Sequence, residues 1–169
     1  MRDRVRESLA ELGRTLEDLK APIAPALAAG ADHAEVETFL GSLGLAVSAD
    51  VVDWFAWHNG VRPDAPIGAA QIVGRWDLLS LDGAKWWTRV MRESVADAGP
   101  GTEGLWAPGW VPLAVSDGDL VVIDLDSPEP HTILFRQRES AAEDICLGLA
   151  ALAGLWIDAL VRGDAEWLP

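Results

Sequence analysis

The chain has 169 residues, half of them hydrophobic and about a quarter charged, which fits one globular domain with a core of its own. Its 27 acidic and 13 basic residues give a formal charge of −14, which repels nucleic-acid phosphates and anionic lipid and argues against both as partners. The single cysteine, Cys146, excludes an internal disulfide and points to a reducing compartment.

Val5, Leu9, Leu12, Leu16 and Leu19 recur at spacings of four and three, so the chain opens on a helix with one apolar stripe. Charges alternate over its other face, unlike a signal peptide. The stripe needs a cover, either the rest of the domain or the same helix of a second copy, so a homodimer through this helix is one expectation. Pro22 and Pro25 end it. Residues 1–30 are read as this helix with its linker, and 31–169 as the domain proper. Asp32 with Glu35 offers a capping box for a second helix, which turns Val36, Phe39 and Leu40 inward. Ser48 caps a third, ADVVDWFAWH, with Val51, Trp54, Phe55 and His58 on one face and Asn59-Gly60 as left-handed residues to close it.

Residues Val61 to Gly74 are rich in Pro, Gly and Ala and read as a loop. WDLLSL is a short strand running into a fourth helix, with Ser80 as its cap and Leu81, Ala84, Trp87, Val90 and Met91 inward. GPGTEG ends that helix. WVPLAV and LVVIDL flank Ser116-Asp117-Gly118-Asp119, where Asp-Gly signals a hairpin. Pro112 suits an edge or a strand start. After the turn SPEP comes a third strand, HTILFRQ. A last long helix is expected from about Ser140 to Val161, with Ile145, Leu149, Leu152 and Trp156 at helical spacing. The uncharged run from Ile145 to Ile157 is too short to span a bilayer, and the chain is expected in the cytoplasm. The predicted fold class is α+β, a single domain with helices packed on an antiparallel meander of about four to six strands.

Three segments resemble the SUKH superfamily, the Smi/Knr-type proteins. They are WFAWHNG at Trp54 to Gly60, LLSLDGA at Leu78 to Ala84, and WVPLAVSDGDLVVIDLDSP at Trp110 to Pro128. They occur in the family's order and span roughly Val47 to Val161, with the first helix outside the likeness. The turn SDGDL is shorter than the family's usual one, and Ser127 separates Asp126 from Pro128. The resemblance implies a non-enzymatic binding domain. Bacterial members are associated with immunity against toxins, often nucleases, and fungal relatives act as interaction hubs.

The stretch from Glu93 to Phe135 holds eight carboxylates, Glu93, Asp97, Glu103, Asp117, Asp119, Asp124, Asp126 and Glu129, and no lysine or arginine. Such a segment suits a basic protein surface, which opposite charge would steer into place. Solubility, or a high-salt habitat, explains the same charge without a partner. The candidate partner-binding residues are Asp117, Asp119, Asp124, Asp126 and Glu129, with Trp106 and Trp110 beside them. Taken with the resemblance, the expected partner is a basic toxin domain, and the alternatives are a regulatory interaction domain or a glycan or small-ligand module built from Trp and Asp. Asp117, Asp119, Asp124 and Asp126 lack the loop spacing of an EF-hand, so no metal is expected. His33, His58 and His131 are scattered, and no phosphate loop or nucleophile elbow is present. No catalytic residue and no cofactor is assigned. Cys146, in an apolar run, reads as an inert buried thiol. Of the nine tryptophans, Trp54, Trp57, Trp87 and Trp156 fit inward helix faces, whereas Trp86, Trp106, Trp110 and Trp167 are candidates for partial exposure.

Overall fold

The computed structural model describes residues 2–98 and 106–164. Three helices come first: α1 (Arg2–Asp18), α2 (His33–Ser42) and α3 (Ala49–Trp57). Two short strands, β1 (Gln71–Val73) and β2 (Trp76–Leu78), lead into α4 (Leu81–Ala98). Then come β3 (Trp110–Ser116), β4 (Asp119–Asp124), β5 (His131–Arg136) and β6 (Ala141–Leu147), and α5 (Gly148–Arg162) closes the chain. The six strands lie in the sheet in sequence order, every pair antiparallel. The architecture is the expected α+β meander.

Helices cover both faces of the sheet, which explains why β4 reads as a continuous apolar run rather than an alternating one. Leu120, Val121, Val122 and Ile123 are all buried. Val121 and Ile123 join the main core with α1, α3 and α5. Leu120 and Val122 join a second cluster with Met91 of α4, Trp106, Trp110 and Phe135. Pro112 behaves as its chemistry requires. Although β3 is flanked on both sides, β2 is short and pairs only with Ala114 and Val115. Pro112 lies beyond its reach, next to a register shift against β4.

Helix α1 is part of the main core. Val5, Leu9, Leu12 and Leu16 are all buried among side chains of α3 and α5. Leu19 falls beyond the helix end and is 48% exposed. Of the two covers expected for the stripe, the domain itself therefore supplies it, and the stripe is not left open for a second copy. On the rim of the same face, Arg6 Nη2 donates to Asp53 Oδ1 at 2.7 Å, and Asp53 is buried on α3.

Two expectations are corrected. Residues 61–74 are not all loop, because Gln71–Val73 pairs with β2. The last helix does not begin near Ser140. Residues Ala141–Leu147 pair along β5 instead, from Arg136 opposite Ala141 to His131 opposite Leu147. Gly148, at φ +70°, then turns the chain into α5. β6 is an edge strand, and exposed Glu143 and Asp144 place charge on it, which discourages further pairing.

The linker before α2 runs against the end of α3. Ala31 N donates to Phe55 O, Asn59 N to Ala29 O, and Ala28 N to Gly60 O. Gly30 passes so close that an added Cβ would overlap the Ala56 carbonyl. Gly30→Ala is therefore expected to destabilise the fold by about 1–3 kcal/mol or more. In urea unfolding the midpoint should fall while the slope stays the same.

Candidate functional site

The carboxylates singled out in the sequence divide between two ends of the sheet. Asp117 and Asp119 belong to the β3–β4 hairpin, a two-residue turn in which Asp117 (φ 50°) and Gly118 (φ 95°) are both left-handed. Asp117 Oδ2 lies 3.3 Å from Arg75 Nη1, with both side chains exposed. Asp119 Oδ1 accepts the Gln137 backbone N–H at 3.1 Å. By register, Arg136 lies across from Asp119, and it pairs with Glu143. This end is of mixed charge, and both aspartates there have local duties.

The other end differs. Asp124 closes β4, and its Oδ1 accepts the Asp126 backbone N–H at 2.9 Å, an Asx turn. The loop is tied down where Leu125 N donates to Gly109 O at 3.0 Å. Asp126 packs on Gly109 so tightly that a Cβ there would sit 2.5 Å from its Cγ. Asp126 and Glu129 are exposed and Asp124 is half-buried. No lysine or arginine among the described residues forms an ion pair with any of the three. The length of β4 separates Asp119 from Asp124 by roughly 17 Å at ~3.3 Å per residue, so the four aspartates do not meet. Among the described residues no group of three or more His, Cys, Asp or Glu is placed to hold a metal. Glu103 lies outside the described residues.

Trp106 and Trp110, candidates for partial exposure and partner binding, are 5% and 6% exposed. They pack edge-on to each other at 5.3 Å and to Phe135 at 5.7 Å each. Buried beneath the start of β3, they support that end of the sheet and present no indole face to a protein or a sugar. Trp54 and Trp156 are fully buried, Trp57 and Trp87 are half-buried, and Trp86 is exposed. Trp167 lies outside the described residues.

A groove of about 710 Å³ runs between α2 and α4, lined by Glu35, Thr38, Phe39 and Leu43 on one side and by Lys85, Arg89 and Arg92 on the other. The sequence reading missed it. Its signal was the spacing of Lys85, Arg89 and Arg92 by four and three, which puts three cations on one helical face.

The family model for the SMI1/KNR4 family (SUKH-1) matches residues 30–150. The chain belongs to the SMI1/KNR4 family. The match includes α2, upstream of the Val47 boundary expected from the motifs, and leaves α1 outside. No curated protein matches the chain. SMI1/KNR4 proteins form an immunity-type and regulatory family, generally non-catalytic, whose members typically bind protein partners. Among the described residues no helix is long and apolar enough to cross a membrane.

The SMI1/KNR4 motifs fasten the fold. His58 is the extended C-cap of α3, and its Nδ1 lies 2.7 Å from Ala28 O. Asn59 Oδ1 accepts the Leu81 N–H at 2.6 Å, and Ser80 Oγ accepts the Gly83 N–H at 3.0 Å, so the two side chains share the N-terminus of α4. Only Gly60 of the Asn-Gly pair is left-handed, at φ +67°. Within the His-Asn-Gly motif, His58 thus ends its own helix while Asn59 caps the next one. Cys146 is half-buried, with Sγ 2.8 Å from Thr132 Oγ1. Burial pushes its thiol pKa up, against the smaller opposing effect of that hydrogen bond, so little of it is thiolate, the nucleophilic form. Burial also raises the Asp77 carboxyl on β2.

Proposed function

We propose that the chain is a non-catalytic, immunity-type binding protein of the cytoplasm, which docks on a basic toxin domain through the Asp124–Glu129 end of its sheet. The observation that carries this reading is the turn itself: Asp124, Asp126 and Glu129 without a cation partner among the described residues, on a loop held by Gly109. Asp124 and Asp126, held by these contacts, lose little entropy on meeting a partner, and an opposite field speeds the encounter. Close charge pairs across such an interface couple by about 1.5–7 kcal/mol. Asp117 and Asp119 are secondary in this reading, because Arg75 and the Gln137 N–H already engage them.

Affinity capture from the native host, with mass spectrometry of the retained proteins, tests it. The wild-type chain and the Asp117→Lys variant are expected to retain the same basic protein domain. The double variant Asp126→Lys/Glu129→Lys is expected to lose it. Equal retention by the double variant would remove this end from the interface. A retained partner without toxic activity would make the chain a regulatory member of its family instead.

A further inference from the structure

We infer that the groove between α2 and α4 is a peptide-docking site for an acidic, partly apolar segment of a protein partner. This is a site separate from the acidic turn and of opposite sign. Residues 34–43, from α2 and its C-cap Leu43, and 85–93 of α4 border it, which at ~1.5 Å per residue gives a trough roughly 12–14 Å long. That length accommodates about two helical turns or four extended residues. Ala34 and Leu43 give one wall an apolar character, with Phe39, a core residue only 5% exposed, at its base. The hydroxyls of Thr38, Ser42 and Thr88 are donated to carbonyls of their own helices, so they do not ask a ligand for an acceptor.

The α4 wall sets the charge of the occupant. Lys85 is held by Asp82 at 3.2 Å, and Arg92 Nη2 donates to Pro108 O at 3.0 Å. Arg89 stands between them, exposed, with no ion pair or hydrogen bond among the described residues. Glu93, four residues along the same helix, and Glu35, on α2, also line the groove, and neither forms an ion pair with it. In a chain with twice as many carboxylates as cations, an arginine left open between two other cations is a recognition group for an external carboxylate. The chain's overall charge disfavours a polynucleotide, and a basic peptide would meet three cations. A small carboxylate alone would leave the apolar wall wet. An acidic peptide with a large apolar side chain satisfies both walls, in the manner of helix-in-groove recognition.

The test uses the full chain, isotope-labelled, and short synthetic peptides of alternating Leu and Glu or alternating Leu and Lys. The Leu/Glu peptide is expected to bind and to shift the amide resonances of residues 34–43 and 85–93. Arg89→Glu is expected to weaken that binding roughly tenfold or more, with an unchanged unfolding midpoint because the side chain is exposed. Equal binding of the Leu/Lys peptide, shifts elsewhere on the surface, or an unaffected Arg89→Glu variant would overturn the proposal. Asp126→Lys/Glu129→Lys should bind the Leu/Glu peptide undiminished, so the groove and the acidic turn can fail separately.

Discussion

A chain shortened to begin at residue 21 is expected to lose its cooperative unfolding transition. The family match begins at residue 30, and on that boundary α1 would pass for an appendage. Its packing says otherwise. Val5, Leu9, Leu12 and Leu16 are each 3% exposed or less. Burying one such side chain contributes roughly 1.5–3 kcal/mol, so the four together contribute roughly 6–12 kcal/mol. A whole domain of this kind is stable by only about 5–15 kcal/mol. Removing α1 also takes Arg6 away from Asp53, leaving a buried carboxylate without its cation, and strips cover from Trp57, which lies beside Gly13. Far-UV circular dichroism through a urea titration decides the matter. The full chain should unfold in one step, whereas residues 21–169 should show no transition or one near zero denaturant. A truncated chain with the full-length midpoint would show that the stripe adds nothing to the core.

Features set by neighbouring residues were legible in the sequence. Asp-Gly between two apolar runs demands two left-handed residues, and the hairpin forms there. Asp32 and Ser48 accept N–H groups of Ala34 and Val51 and start α2 and α3 where their chemistry suggested. What the sequence hid depends on residues distant along the chain. Ala, Glu and Leu in residues 141–147 favour a helix, and Ile145 keeps helical step with Leu149. Pairing with β5 overrides both, and no local pattern announces that partner. The acidic segment looked like one surface because sequence gives no direction to a strand. β4 carries Asp119 and Asp124 to opposite ends of the sheet. The α2–α4 groove was hidden for the same reason, since its two walls lie more than forty residues apart.

Trp156→Ala is expected to cost far more stability than Trp86→Ala, although the two changes are chemically identical. Trp156 is fully buried in the main core, its ring edge-on to Trp54 at 5.5 Å. Truncating it removes apolar contact and leaves a cavity that the surrounding helices and sheet cannot close, a loss of about 3–5 kcal/mol. Part of that, about 0.5–1.5 kcal/mol, is the aromatic pair with Trp54. Trp86 is 48% exposed on α4, and its ring meets Trp87 at 4.8 Å, so its removal is expected to move stability by only about 0.5 kcal/mol. Urea midpoints of the two variants, measured against the wild type, test this directly. The comparison also bears on why the chain is rich in tryptophan. Nine indoles without a tyrosine could be read as a ligand-stacking surface. Trp106 and Trp110, the pair best placed for that role in the sequence, are buried against Phe135. A large loss for Trp156→Ala beside a negligible one for Trp86→Ala assigns the tryptophans to the interior. Comparable losses would mean that the exposed indole is held by packing that its exposure does not reveal.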